Sequence, residues 1–307
     1  MPSPGSDVNW RQTPVVVDCL ARCRFPATSD VTCAVSGGAD SLALLALAVA
    51  ANKKVTAIHV DHGLRPGSAN EAELVRECAS YVGASFVART VSVESGANVE
   101  ARARSARYAA LPSDVLTGHT ADDRAETVII NLLRGAGIDG LTGIREIGGP
   151  SGTVVHPLLE LRRRDTEAIC AAMGWTPLHD PSNDDESLLR NRVRHSILPM
   201  LNEAAGRDLA PILARQGDLL AADSEVLEVL SAEIDPTDAR ALAVAPPALA
   251  RRAIRRWLTV DHPPDSASVE RVLAVARGEA VACEIPGGAR VQRTNQRLSI
   301  TPPPDQG

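Results

Sequence analysis

The sequence predicts an α/β fold, a doubly wound and mostly parallel sheet followed by a smaller C-terminal α/β domain. Three observations carry that prediction. Apolar, β-branched runs occur early, at Val31-Thr32-Cys33-Ala34-Val35 and Val55-Thr56-Ala57-Ile58-His59-Val60, as expected of strands buried on both faces. Helical sequence such as Leu42-Ala43-Leu44-Leu45-Ala46-Leu47 follows, and strands alternating with helices imply right-handed crossovers in a parallel sheet. The composition then shifts through Pro236 and Pro246-Pro247. The expected domains are residues 1–207 and 208–307.

Taken in order, Thr13-Pro14 reads as a helix N-cap and first position, opening a helix to about Arg24. The first strand runs through Ser36-Gly37-Gly38-Ala39-Asp40-Ser41 into a helix, and the second leaves through Asp61-His62-Gly63-Leu64-Arg65-Pro66. A helix over 70–82, a strand over 85–91, a helix over 98–111 and a strand at Val115-Leu116-Thr117 continue the alternation. Gly118-His119-Thr120-Ala121-Asp122-Asp123 then starts a helix that Gly135-Ala136-Gly137 stops. Further expected elements are a strand at Val154-Val155, a helix over 162–173 and a turn over 180–185. A helix from Leu188 up to Pro199 and a long amphipathic helix over 209–234 follow. The small domain is read as an arginine-rich helix around 251–257, a helix over 266–277 and strands at 283–285, 290–294 and 298–301, before a Pro-rich tail.

The bulk composition bounds the function. At 307 residues with 44% apolar content the chain can bury a substantial core, and its net charge of −6 provides no global basic field. Nucleic acid, if bound, is held by local patches. Only Lys53 and Lys54 of the 32 basic residues are lysines, so positive charge comes almost wholly from arginine, which suits bidentate phosphate contacts. With 2% aromatics there is little material for base stacking. Six cysteines without a C-x-x-C pair read as reduced thiols, and Met1 to Asp7 is not a secretory signal, so a cytoplasmic location is expected. No apolar run approaches the roughly 20 residues that span a bilayer.

The glycine corner at residues 36–41 organises the rest. Adjacent glycines let the backbone turn sharply and approach a ligand, and free amides at a helix start favour an anion, most simply a phosphate. Ser36 and Ser41 add hydroxyl donors, and Asp40 can hold the turn or bind a metal that the phosphates also touch. The loop lacks the lysine of G-x-x-x-x-G-K-[ST], which excludes a kinase-type or GTPase-type loop. Asp123 and Glu126, at i and i+3, share one helical face at the next strand end.

The hexapeptide resembles the SGGxDS loop of the N-type ATP pyrophosphatases. Further blocks narrow the resemblance: His59-Val60-Asp61-His62-Gly63-Leu64-Arg65, Gly118-His119-Thr120-Ala121-Asp122-Asp123 with Glu126, and Leu132-Leu133-Arg134-Gly135-Ala136-Gly137 with Gly140-Leu141. So do Pro157-Leu158-Leu159, Asp180 to Asn183, and Arg190-Asn191-Arg192-Val193-Arg194 before Leu198-Pro199. In this order, over residues 31–201, they are similar to signatures of the tRNA(Ile)-lysidine synthases. The resemblance implies a Rossmann-like ATP pyrophosphatase domain. It also implies an enzyme that adenylates the oxygen on carbon 2 of the wobble cytidine in the CAU anticodon of isoleucine tRNA, releasing pyrophosphate, and lets the side-chain amine of L-lysine displace AMP from that carbon. This chain resembles the short form, without the third domain of longer members.

On that resemblance Ser36, Gly37, Gly38, Ala39, Asp40 and Ser41 cradle ATP, with Mg²⁺ at Asp40. Asp123 and Glu126 either recognise and activate the lysine amine or hold Mg²⁺. His119 either donates to a phosphate or to the cytosine oxygen, or is a satisfied polar residue at a strand end. Arg192 and Arg194, with Arg190, lie near ATP phosphates or tRNA, or pair with Asp184, Asp185 and Glu186. Arg162-Arg163-Arg164 is a weaker candidate among Glu160, Asp165 and Glu167. Arg251, Arg252, Arg255 and Arg256 form a stripe that can track a tRNA backbone or merely solubilise. His59, Asp61 and His62 lack the arrangement of a zinc site and read as structural or adenosine-contacting. A homodimer is left open. Two rival readings are a tRNA thiolase, which needs cysteines that are not suitably placed here, and a nucleotide-binding module without chemistry.

Overall fold

The computed structural model describes residues 9–61, 68–92, 99–260 and 263–303. Met1 to Asp7, the stretch His62-Gly63-Leu64-Arg65-Pro66, Asn98 and the end of the Pro-rich tail lie outside the described residues. Two compact units are present, 1–218 and 219–307.

In the first unit α1 (Pro14–Ala21) precedes β1 (Asp30–Ala34), α2 (Ala39–Ala50), β2 (Lys54–Asp61), α3 (Ser68–Val82), β3 (Ser85–Thr90) and α4 (Val99–Ala109). Then come α5 (Ala121–Leu133), the single turn α6 (Ile138–Leu141), the two-residue strands β4 (Ile147–Gly148) and β5 (Val154–Val155), and α7 (Arg163–Ala172). β1 pairs with β2 and β2 with β3, all parallel. On the other edge of β1 the chain returns at Leu116, whose amide donates to Thr32 O (2.8 Å) and whose carbonyl accepts from Ala34 N (2.9 Å). Leu116 in turn bridges Val155, so the layer reads β3-β2-β1-Leu116-β5-β4. The expected strand over Val115–Thr117 shrinks to this one bridging residue. The Val115 amide is already turned back onto Pro112 O (3.2 Å), and the chain leaves at Gly118 to start α5.

This topology dictates where a ligand binds. From β1 the chain moves outward to β2 and β3, then comes back to the opposite side of β1. The crevice outside the carboxyl ends at such a reversal is where doubly wound sheets hold ligands. Here those ends are Ser36–Ser41 and Gly118–Asp123. An ideal Cβ on Gly118 would lie 2.6 Å from the Asp40 carbonyl oxygen, so only glycine lets the two ends come this close.

α2 anchors the crevice. Leu42 to Val49 are all buried, and the helix packs against β1, β2, α1, α3 and α7. A helix apolar on every side belongs in the middle of a core, and its first turn is thereby held rigidly under the glycine corner.

From α8 (Leu189–Arg192) the chain passes through a π-helical turn at Val193–Ile197 into α9 (Leu198–Ala205). The helix expected to end near Pro199 therefore continues to Ala205. Pro199 falls in the first turn of α9, directly after the widened turn, where a missing N–H costs no helical hydrogen bond. α10 (Ala210–Ala232) is the expected long helix. In the second unit α11 (Ala239–Val244), α12 (Pro247–Leu258) and α13 (Ser266–Arg277) share a core with the antiparallel sheet β6 (Ala282–Glu284), β7 (Arg290–Thr294) and β8 (Arg297–Thr301). Asn295 and Gln296, both with positive φ, turn β7 into β8, the backbone of a tight two-residue hairpin. Among the described residues no helix is long and apolar enough to cross a membrane.

Gly118→Ala should lower stability by about 1–3 kcal/mol in urea unfolding, because the added carbon meets backbone that cannot swing aside. An unchanged midpoint would show that the two strand ends have slack.

Candidate active site

The corner is wound around Ser41. Its Oγ accepts from the Ser36 amide (3.1 Å) and donates to Gly38 O (2.9 Å), with Ser36 Oγ 3.2 Å away. Gly37 is left-handed at φ +92°, its carbonyl accepts from Leu178 N (2.9 Å), and the Leu178 side chain fills the space a Cβ would need. Gly38 is the N-cap of α2. The amides of Gly37, Gly38, Ala39 and Asp40 take no backbone acceptor among the described residues, so a row of donors meets the helix dipole at a preformed turn. Such a row of donors can hold a phosphate without a side-chain cation.

Asp40 is half-buried in the first turn of α2. It accepts from the Thr166 hydroxyl, and Arg163 Nη2 stands 3.3 Å from Oδ2. Burial pushes its carboxyl up to about 6, against the pull of Arg163. A carboxylate desolvated to this degree is under-compensated for charge, and its hard oxygens suit Mg²⁺, which is commonly held by one or two carboxylates plus phosphate oxygens. Asp40 thus fits as one protein ligand. No cluster of three or more metal-binding side chains exists among the described residues.

The acidic pair is built by the start of α5. Thr120, its N-cap, donates from both backbone N (2.9 Å) and hydroxyl (3.1 Å) to Asp123 Oδ2. This fixes the carboxylate and turns Oδ1 toward the helix that carries Arg190 and Arg194. Arg190 Nη2 is 2.8 Å and Arg194 Nη2 3.3 Å from Asp123 Oδ1. Glu126, only 1% exposed, accepts from Arg190 Nε (3.0 Å) and from Arg194 Nε (2.6 Å) and Nη2 (2.9 Å). Burial pushes Asp123 upward, but His119, Arg190, Arg163 and the Thr120 amide outweigh it and hold the carboxyl well below the usual range. At neutral pH the arginines supply this, because burial keeps His119 neutral, its pKa brought down to about 3.

The residues assembled here differ in part from the sequence candidates. Arg190 and Arg194 lie one turn apart and share a face, whereas Arg192, between them, is exposed and makes no ion pair among the described residues. Asp122, the first acid of the motif, holds Arg162 (2.7 and 3.0 Å) and the Arg163 amide (2.8 Å). Arg162 also pairs with Asp208. The clamp places Arg163, whose Nη2 is 3.3 Å from Asp40 and 3.8 Å from Asp123. Sequence reasoning undervalued Arg163 because the neighbouring acids seemed able to neutralise the whole triplet. Next to these groups an open cleft of about 390 Å³ is lined by Glu126, Arg163, Arg194 and His179 among others.

His119 lies at the strand end with its Nδ1 2.8 Å from Thr117 Oγ1. The same hydroxyl is 2.6 Å from Nδ1 of His156, a buried residue after β5 that carried no sequence signal of its own. His59 is buried with Nδ1 2.9 Å from Val35 O, which makes it a brace between β2 and the end of β1. His62 lies outside the described residues. In the second unit, Arg251 pairs with Glu270, while Arg252 (3.4 Å) and Arg256 (3.1 Å) both reach Glu228. Arg255 is half-buried and has no ionic partner among the described residues.

A family model described as a PP-loop domain matches residues 16–201. The tRNA(Ile)-lysidine synthase of Nocardia farcinica is 44% identical over 245 residues, 76% of this chain and 76% of that protein. Its namesake from Rhodococcus erythropolis is 43% identical over 247 residues, 76% and 75% of the two chains. Among solved structures, the U34-tRNA thiolase NcsA from Methanococcus maripaludis aligns with a TM-score of 0.51 at 18% identity, covering 67% of this chain and 77% of that one. That likeness speaks for the fold alone. The free-amide corner, the clamped acidic pair and these matches lead to one conclusion: the chain belongs to the tRNA(Ile)-lysidine synthase family of PP-loop enzymes.

Proposed function

We propose that this ATP-dependent tRNA-modifying enzyme joins L-lysine to carbon 2 of the wobble cytidine in the CAU-anticodon isoleucine tRNA, through an adenylated base. The observation that carries the reading is the position of Arg163, one guanidinium within 3.3 Å of Asp40 at the glycine corner and 3.8 Å of Asp123 at the acidic pair. These distances support reading the glycine corner and the acidic pair as parts of one site.

In this scheme the amides of Gly37 to Asp40 hold the pyrophosphate end of ATP and leave the α phosphorus open to the cytosine oxygen. Mg²⁺ held in part by Asp40 would shield the charge that builds between the phosphates. Asp123 and Glu126 receive the lysine ammonium, and the attacking amine gives up its proton in their neighbourhood. Two carboxylates faced by Arg190 and Arg194 form a balanced set of charges. Bound triphosphate draws a guanidinium toward itself and frees carboxylate oxygens for the incoming ammonium, which orders ATP before lysine. A volume of about 390 Å³ lies at the lower end of small-molecule sites and suits an amino acid.

Thiolation fits poorly. Cys33, Cys78 and Cys170 are buried, and burial pushes each thiol up to about 12, so none is a ready thiolate at neutral pH.

Incubation with ATP, radiolabelled lysine and the CAU-anticodon transcript should place label in the tRNA and release AMP. Label that stays free while ATP is consumed would refute the assignment. Glu126→Gln should impair lysine use far more than tRNA-dependent ATP–pyrophosphate exchange; equal loss of both half-reactions would reassign Glu126 to the metal or to ATP.

Asp40→Asn should abolish exchange and yet stabilise the ligand-free protein. The folded pKa of about 6 exceeds the ordinary carboxylate value of 3.8, so the wild type loses stability as pH rises from about 4 to 6 and keeps that deficit above. The variant should therefore gain about 1–3 kcal/mol at pH 8 and almost nothing at pH 4 in urea unfolding. A gain at pH 4 as large as that at pH 8 would rule out this cause.

For α12, Arg255→Glu should weaken tRNA binding and flatten its salt slope by about one unit. An unaltered slope would take this helix out of the interface.

A further inference from the structure

Three polar side chains meet behind the acidic pair. Thr117 Oγ1 lies 2.8 Å from His119 Nδ1 and 2.6 Å from His156 Nδ1, and the two ring nitrogens are 3.2 Å apart. The rings stand edge to face, 4.7 Å between centroids and 87° between planes. Thr117 and His156 are buried, 8% and 4% exposed. Thr117 is held by its backbone, which donates to Val155 O (3.0 Å).

A hydroxyl owns one hydrogen. It can donate to only one of the two Nδ1 atoms, so the other must itself carry a hydrogen and donate to the oxygen. Burial holds both rings neutral at physiological pH, bringing His119 down to about 3 and His156 to about 4. A neutral imidazole has a single N–H, so the choice at Nδ1 also settles what Nε2 is. Hydrogens on both Nδ1 atoms would face each other across only 3.2 Å, so the trio has two states. In one, His156 Nδ1–H donates to Thr117, Thr117 donates to His119 Nδ1, and His119 carries its hydrogen on Nε2. In the other the chain runs backwards and His119 Nε2 is a bare acceptor.

The surrounding charges choose between them. Asp123 is the charged group that acts most strongly on His119, and Arg104 is the one that acts most strongly on His156. The first state puts its positive end on His119, the ring that the anion influences most, and its negative end on His156, the ring that the cation influences most. Nε2 of His119 is left out of the cluster and has no partner among the described residues, and the residue is half-buried.

We propose that His156 and Thr117 are positioning residues, which fix His119 as a neutral Nε2–H donor for an acceptor oxygen of the adenylation step. The oxygens handled there, on the triphosphate and on carbon 2 of the base, are all acceptors. A neutral donor can hold one without adding a charge that competes with Arg163, Arg190 and Arg194. This role rests on the adenylation reading above, but the proton arrangement does not.

The test reads the ring nitrogens of His119 by ¹⁵N NMR in the full-length, ligand-free protein, alongside tRNA-dependent ATP–pyrophosphate exchange. The wild type and Thr117→Ser should show a protonated, pyrrole-type Nε2. So should His156→Gln, whose amide can still donate to Thr117. Thr117→Val and His156→Leu should replace the single protonated-Nε2 pattern of His119 with shifts averaged between the two tautomers and cut exchange about 10- to 100-fold, with the ATP KM little changed. A bare Nε2 in the wild type, or a His119 spectrum untouched by both apolar variants, would overturn the proposal whatever the activities. Absence of exchange in a wild type whose Nε2 is protonated would instead count against the adenylation reading.

Discussion

The structure depends on how closely two strand ends approach. Leu116 completes the layer beside β1, and Gly118 then passes so near the Asp40 carbonyl that any side chain would collide with it. Because of that contact the glycine corner and the first turn of α5 face one crevice. The amides of Gly37 to Asp40 and the carboxylates of Asp123 and Glu126 thereby become neighbours, although some 80 residues separate them in the chain. The burial of α2 along almost its whole length makes the arrangement stiff, since its first turn cannot shift without disturbing the core of the first unit.

Charge balance is the second constraint. Glu126 is almost fully buried, and an unpaired carboxylate there would cost several kcal/mol. Arg190 and Arg194 offset that cost in the ligand-free protein. Both project from a helix whose π turn lets Pro199 follow without a break, and such turns often coincide with functional sites. Arg163 couples the two halves of the site, and Asp122 holds Arg163 in place through its backbone amide. An acidic first turn that could have served only the helix dipole is thus divided. Asp122 orients an arginine, Asp123 fixes the helix start and faces two more, and Glu126 completes the pair.

The same economy limits the second unit. Its arginine stripe reads from the sequence as four free guanidinium groups, but Glu228 and Glu270 engage three of them. Their stems cover the surface of α12 while their heads are partly neutralised. A stripe of like charge on a helix is therefore not by itself a nucleic-acid track. The carboxylates that neighbouring helices present decide how much of it remains.

By itself the sequence determined the alternation of strands and helices, the corner at Ser36 to Ser41, and the family, because these rest on local rules: apolar periodicity, the φ freedom of glycine, and motif order over residues 31–201. It also brought Asp123 and Glu126 onto one helical face. It could not show that Val115–Thr117 forms no more than a single-residue bridge centred on Leu116, that Arg190 rather than Arg192 joins Arg194 at the acids, or that His156 shares a hydroxyl with His119. It likewise left open which arginine of the Arg162-Arg163-Arg164 triplet reaches the site. Each of those depends on side chains from elements far apart in the chain, and only the tertiary structure decides which of them meet.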